Sequence, residues 1–385
     1  MERRAFVRLV GGGVVIAGAA GLASCSRGMP DEAVQAWNGP GAEPDLRRWL
    51  LGHAILAPHS HNLQSWLVDL RTPGEILLRC DLERLLPETD PFSRQIMMSQ
   101  GTFLELLDLA ARERGQRAEI TLFPEGVFGP QKPDTRPVAR VRLVADAAVP
   151  KDPLFAQILR RHTNRNAYDL ARPVPAAAWQ AMAAAVAPHP LRLGWVEGAD
   201  ERLVRHRDIA NEAFRIEMTT PHTILESLKW LRVGSSEIRR HRDGLSLNDP
   251  MVVLLERVGL FDRSKAPAPG DSAIRAQIDD FAKKIASTGA FMWMTSEAND
   301  RATQVAAGRA YARVQLAATG LGIAMHPLQQ ALQEYPEQRG PYAAIRDLVG
   351  VREPAGVVQM WARVGFAEPV GPAPRRGVDA HLVRA

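Results

Sequence analysis

Hydrophobic positions along the chain fall into blocks of helical and extended period. A helix is expected from about Asp45 to Ala57, stopping before Pro58 because the residue that precedes a proline disfavours the α region. Two short β-like runs follow, SWLVDL and EILLRCDL, separated by the turn signal Arg-Thr-Pro-Gly. In RQIMMSQGTFLELLDLAARERG, Phe103, Leu106, Leu107 and Ala110 recur at helical spacing, and Gly115 suits the position just past the helix end. AEITLFPEG and VARVRLV read as further strands. Residues 43–150 therefore form one half of α+β type.

The second half, residues 151–385, repeats this grammar. DPLFAQILRRHTNRNAYD reads as a helix followed by a polar turn, VPAAAWQAMAAAVA as a helix, and LRLGWVEG and AFMWMTSE as strands. A long helix is expected from Asn299 to Gly320. Its small residues Ala306, Ala307, Gly308 and Ala310 would let another element approach closely. VVQMWARVG is a last strand. Between the strands at 191–198 and 290–297, residues 213–272 mix apolar anchors (Phe214, Met218, Leu225, Leu228, Trp230) with RRHRDG and APAPGD. They read as a helical excursion, either a lid or a packed structural insertion.

The amino terminus changes the picture of where the fold starts. Residues 1–24 read as an export signal: Arg3-Arg4 followed by Phe6 resembles a twin-arginine signal, and LVGGGVVIAGAAGLA is Gly-rich and short for a membrane span. Leu22-Ala23-Ser24-Cys25 resembles a lipobox, which would make Cys25 the lipidated terminus. The alternative is an ordinary residue in a signal cleaved nearby. Residues 25–42 are rich in Gly, Pro and polar groups and read as a tether. The expected location is the bacterial cell envelope, as a membrane-anchored lipoprotein facing the periplasm. Cys80 has no intramolecular partner if Cys25 carries lipid, and in ILLRC it reads as a small buried hydrophobe.

Composition then narrows the class. The 385 residues are 46% hydrophobic and 24% charged, as in a folded protein. The net charge of +5 is spread along the chain without a basic block, which argues against nucleic acid as a partner. There is no GxSxG elbow, no GxGxxG and no GxxxxGK[ST]. Three groups of residues carry candidate chemistry. His59-x-His61 could aim two imidazoles at one metal ion, as in a metal-dependent hydrolase, but no acidic or histidine ligand follows at a fitting spacing. Arg160-Arg161-His162-Thr163-Asn164-Arg165 gathers guanidiniums, a hydroxyl and an amide, a set that suits phosphate oxygens or a solvated helix end. Arg375-Arg376 is a basic pair in the tail.

Taken together, these segments resemble the nitroreductase-like flavoproteins, and most closely their single-chain branch with two tandem halves, the Acg family. LAPHSHNLQSW is similar to that family's A-P-S-S-x-N-x-Q-P-W loop. RRHTNRNAYD is similar to its R-x-[ST]-x-[RK] flavin-phosphate motif, GLGIAMHPLQQ to the segment lining the flavin ring, and PRRG to its C-terminal basic pair. The resemblance runs over roughly residues 45–380. It implies two nitroreductase-like halves forming an intramolecular pseudo-dimer with one FMN between them, since the loop lies only in the first half and the basic motifs only in the second. By that resemblance Arg161, Thr163 and Arg165 would hold the FMN phosphate and ribityl chain, with Arg375 or Arg376 adding charge. Pro58, His59, Ser60 and Asn62 would meet the flavin from the opposite half. Pro327, Leu328 and Gln329 would pass its N5 edge, with a backbone N–H donating there, while Gln64 and Trp66 brace the loop. Two positions depart from the pattern: His59 replaces the loop's first Ser, and Ser65 replaces the Pro before Trp66.

The implied function is an FMN-dependent oxidoreductase of the envelope. It would pass hydride or electrons through the flavin with restricted substrate access, between a donor and an acceptor that the sequence does not name. The alternatives are an FMN storage or sequestration lipoprotein without turnover and, more weakly, the metal-dependent hydrolase using His59 and His61. A fused pseudo-dimer needs no second subunit to complete its site.

Overall fold

The protein is described here from a computed structural model covering residues 28–351 and 356–383. The expected signal and Cys25 lie outside the described residues. The segment expected as a tether does not behave as one from Pro30 onward. It forms α1 (Asp31–Val34) and a 3₁₀ turn (Gln35–Asn38), and buries Ala33 and Trp37. The Trp37 indole N–H donates to the carbonyl of Ala373 at 2.8 Å, and the Arg375 N–H to that of Ala33 at 2.8 Å. Long-range partners at the far end of the chain order a stretch whose composition alone suggests none.

The first half comprises α2 (Leu46–Ala54), β1 (Trp66–Asp69), β2 (Glu75–Cys80), α3 (Arg94–Glu113), β3 (Gln116–Leu122) and β4 (Pro137–Ala145). Asp45 caps α2 by accepting from the N–H groups of Arg47 and Arg48. The helix ends at Ala54, before the expected Ala57, which frees the carbonyls of Leu56 and Ala57 for other donors. The four strands form an antiparallel sheet in the order β1-β2-β4-β3.

The second half contains α4 (Ala176–Val186), β5 (Arg192–Glu197), α5 (Arg202–Thr219), α6 (Pro221–Lys229), β6 (Leu231–Val233), α7 (Gly234–His241), β7 (Leu245–Leu247), α8 (Pro250–Arg257) and α9 (Ser272–Ala286). It then continues through β8 (Ala290–Ser296), α10 (Arg301–Gly320), β9 (Ala324–Pro327), α11 (Arg339–Leu348) and β10 (Val357–Gly365). Its main sheet, β5-β8-β10-β9, is antiparallel and has the connectivity of the first: two strands, a 20-residue helix, then two strands in swapped order. The helix expected at the start of DPLFAQILRRHTNRNAYD, residues 152–169, is instead a 3₁₀ segment, Pro153–Arg160, after which Arg161 is extended. The segment expected as an excursion, 213–272, lies within a longer run of helices and short strands between β5 and β8. α5 and α9 pack on the sheet through Ala213 and Phe281, with Phe291, Trp293 and Trp361. Residues between them add the parallel pair β6–β7 and a small apolar cluster of their own.

The two halves meet where α3 crosses α10. A Cβ on Gly101 would lie 2.0 Å from the Val305 carbonyl oxygen, and one on Gly308 would lie 1.8 Å from that of Met98. The backbones therefore touch, which only glycine allows. Ion pairs staple the contact: Glu105 accepts from Arg309 at 2.7 Å and from Arg313 at 2.8 Å. α3 is buried on all sides from Arg94 to Ala111, polar positions included. A helix buried all round belongs at the centre of a molecule.

Candidate functional site

Between the halves lies a cavity of about 570 Å³. One wall is the loop 58–64, which connects α2 to β1. Three non-glycine residues of this loop, His61, Asn62 and Gln64, have φ between 48° and 56°. Left-handed backbone outside glycine costs of order 1–2 kcal/mol per residue, and clusters of it accompany functional loops. The loop is held from outside: Thr102 Oγ1 donates to the Pro58 carbonyl at 2.7 Å, and the Trp66 indole N–H to that of Ser99 at 3.1 Å.

The two departures from the loop pattern turn out to be partners. His59 Nδ1–H donates to the Ser60 carbonyl at 2.8 Å, so Nε2 is the acceptor. It receives the Ser65 N–H at 3.1 Å and lies 2.6 Å from Ser65 Oγ. A proline at 65 would have no N–H to give to His59 Nε2. Burial pushes the His59 imidazole down to about 3, with the Ser60 carbonyl opposing and Arg375 reinforcing. His59 is a neutral brace whose two nitrogens stay within the loop. His61 points elsewhere, its Nε2 3.1 Å from Ser227 Oγ. Among the described residues no group of three or more His, Cys, Asp or Glu side chains could hold a metal ion.

The wall that adjoins this loop is cationic. Arg161 and Arg375 are 2% and 4% exposed, and their guanidinium carbons lie 5.5 and 5.2 Å from the centre of the Trp37 ring. Arg161 donates to Gln315 Oε1 and to the Leu56 carbonyl, both at 3.0 Å. Arg375 donates to Asn62 Oδ1 at 2.5 Å and to the carbonyls of Pro374, Leu56 and Ala57. Every one of these acceptors is neutral, and the Nε of each arginine is buried without a partner. Burial lowers the Arg161 guanidinium to about 10 and drives Arg375 well below its ordinary value, with Arg161 contributing to the latter. Two desolvated cations this close are costly unless an anion joins them. Thr163 and Arg165 line the same end, and Arg165 is exposed.

The remaining expected residues divide. Pro327 and Gln329 line the cavity. Leu328 does not: its side chain is buried in the second-half core and its N–H donates to the Trp361 carbonyl at 2.8 Å. Gln329 opens a 3₁₀ turn, where leading N–H groups have no partner within the turn, so it retains the backbone donor. Arg376 also turns away. Its N–H donates to Gln64 Oε1 at 2.9 Å and its guanidinium to the Gln64 carbonyl, so it braces the loop. Gln64 in turn donates its Nε2–H to a third residue, the Arg242 carbonyl, at 2.9 Å.

Several lining residues escape sequence reasoning. Trp37 sits in the supposed tether, and a lone tryptophan there was the available signal. Gln95, Ser99 and Thr102 are polar positions at helical spacing on α3 and line the cavity. Glu217 on α5 lines the far end with Gln333, whose Nε2 donates to it at 3.0 Å. Burial pushes the Glu217 carboxyl up to about 7, Gln333 opposing and Glu226 adding to the rise.

The histidines set a pH dependence. Burial holds His59 and His381 at about 3 and His61, His162 and His206 at about 4, all below the ordinary 6.5. Each folded value lies below the unfolded one, so unfolding takes up protons between them. Their stabilisation is complete above pH 6.5 and is lost as pH falls toward 4. Glu217 at about 7 and Asp90 at about 6 act oppositely, favouring the fold below the ordinary carboxyl range, but they are outnumbered. Urea midpoints should therefore fall steadily from pH 6.5 to pH 4; a flat profile would contradict the neutral, buried assignment.

No protein-family model matches the chain. Proteins from two strains of Mycobacterium tuberculosis that carry NAD(P)H nitroreductase in their names are 30% identical to it over 344 residues, covering 86% of this chain and 88% of theirs. Among solved structures, a nitroreductase with bound FMN from Bacteroides fragilis is 16% identical, covering 59% of this chain and 97% of its own, with a TM-score of 0.35. The FMN-dependent nitroreductase NfnB from Mycobacterium smegmatis, in complex with NADPH, is 16% identical, covering 60% and 96%, with a TM-score of 0.36. Those two likenesses are too loose to lay one residue on another. The match to the mycobacterial proteins spans most of both chains at an identity that establishes descent, and the chain belongs to the nitroreductase family.

Proposed function

We propose that the chain is an FMN-dependent oxidoreductase that holds one flavin between two nitroreductase-like halves, an intramolecular pseudo-dimer. The carrying observation is the pair Arg161 and Arg375, buried, stacked beside Trp37 and bonded only to neutral acceptors, each with an orphaned Nε. A phosphate would supply the missing charge and accept those donors in forked geometry. Arg161, Thr163, Arg165 and Arg375 would hold it, while Pro58, Ser60, Asn62, Pro327 and the N–H of Gln329 would bound the ring. When bound, the flavin would supply hydride transfer through N5.

The chain's own residues define what surrounds that chemistry. His59, fixed in one tautomer against Ser65, shapes the loop and takes no proton at neutral pH. Glu217 keeps its proton into the neutral range and can present it to the far end of the cavity. The α5–α9 excursion covers that end with apolar side chains such as Phe214, Met218 and Phe261, which supports restricted access. This covering also favours a second reading, an FMN storage protein without turnover. We further propose that the chain works in the cell envelope as a lipoprotein, by its signal-like first residues, and meets its donor there or before export.

The purified protein should be yellow, with flavin absorption bands, and should release roughly one FMN per chain. Two per chain would contradict a single composite site, and a colourless protein that takes up no FMN would end the reading. Stopped-flow mixing separates the two forms: flavin that dithionite reduces but no biological donor or acceptor touches points to storage. Rapid NAD(P)H-driven turnover of many nitroaromatics would contradict restricted access.

A further inference from the structure

The excursion presents an apolar surface beside the end of the cavity that Leu260 and Phe261 line. On α8, Val252 and Leu255 face inward at 1% and 4% exposure. Met251, Leu254 and Val258, at helical spacing on the other side, are 49%, 52% and 58% exposed. Gly259, at φ +75°, then reverses the chain, and the N–H groups of Leu260 and Phe261 both return to the Leu255 carbonyl, at 2.9 and 3.2 Å. This sets Leu260, 51% exposed, beside the stripe, and turns Phe261 inward; both also line the cavity. Four of the twelve large hydrophobic side chains exposed among the described residues fall within these ten positions. Such clustering marks a contact surface, where scattered exposure would not.

Two further observations identify what the surface meets. The amino-terminal segment enters the fold beside it: Asn248, two residues before α8, donates to the Gly28 carbonyl, and Glu32 pairs with Arg239 of α7 at 3.4 Å. The described chain therefore begins at this corner, and the sequence before Gly28 holds the apolar run LVGGGVVIAGAAGLA and Cys25. Arg239, Arg240, Arg257 and Lys265 are exposed on the elements that flank the stripe; Glu32 and Asp262 pair with two of them, and Asp249 and Glu256 of the same segment are half-buried. Aliphatic side chains flanked by exposed arginine and lysine suit the boundary of an anionic bilayer. Among the described residues no helix is long and apolar enough to cross a membrane, so the contact is peripheral.

We propose that α8 and the turn after it dock on an anionic lipid surface, setting the end of the cavity lined by Leu260 and Phe261 against the bilayer so that an apolar reactant passes between membrane and pocket. The proposal rests on the envelope reading above, and the test separates the two. The full chain is mixed with vesicles of phosphatidylcholine and phosphatidylglycerol, and amide exchange is followed over residues 249–261. Exchange should slow about tenfold on vesicles, and the variant Met251→Ser/Leu254→Ser/Val258→Ser should lose that protection while keeping its fold.

A chain that co-sediments with vesicles but exchanges at 249–261 as it does in solution overturns the docking face and leaves the anchor standing. A Cys25→Ala chain that keeps the protection retains the face and refutes the need for lipidation. A chain that stays in the supernatant overturns both. Protection that needs no vesicles and grows with protein concentration identifies a second copy as the occupant and overturns the membrane.

Discussion

Arg375→Ala weakens FMN binding by a hundredfold or more and leaves the flavin-free chain as stable as before. The first half follows from charge-assisted hydrogen bonds: truncating one partner of a buried pair costs about 2–5 kcal/mol. The second follows from the flavin-free chain, where the Arg375 guanidinium is desolvated beside Arg161 and bonded only to neutral acceptors. Losing its bonds to Asn62, Leu56 and Ala57 is offset by no longer burying that charge, so the unfolding free energy should move by less than about 1 kcal/mol. Fluorescence titration with FMN and urea unfolding measure the two effects. Arg375→Lys should recover only part of the affinity, since an ammonium keeps the charge and loses the fork. Wild-type affinity in both Arg375→Ala and Arg161→Ala would remove the phosphate assignment altogether.

Gly308→Ala should destabilise the chain by about 3 kcal/mol or more, because its new Cβ meets the main chain of Met98 and no side chain can swing aside. The reciprocal change, Gly101→Ala, should cost a similar amount against Val305, and the double variant less than the sum, since one displacement of α3 from α10 relieves both clashes. Urea unfolding of the three variants checks this. Gly308 also lines the cavity, so flavin affinity should fall with stability. A Gly308→Ala chain as stable as the parent would mean the helices stand farther apart than described.

Much of this architecture can be read from residue patterns, and the exceptions share a cause. Periodicity locates the long helices and the strands because they bury surface along their own length. It fails at Pro153–Arg160, where the apolar spacing fits a 3₁₀ segment as well as an α-helix. It also fails at residues 30–42, whose order comes from partners more than three hundred positions away. Adjacent residues in extended segments face opposite ways, so Arg375 reaches the cavity and Arg376 the loop, and Leu328 turns into the core while Pro327 lines the wall. Sequence pattern names such a pair and cannot choose between its members. The His59–Ser65 contact is of the same kind: each looks like a lone departure until the loop brings them together.

The grip on Trp37 also has a consequence for timing. Its indole hydrogen-bonds a residue 336 positions later, and Arg375 returns to Ala33 near the chain's beginning. Loop closure over such a span comes late, since its entropy must be met before the contact returns anything. The cationic wall is complete only once Arg375 has been made and its segment has returned to Trp37 and Ala33, so a cofactor held by this wall is captured after that long-range contact has formed.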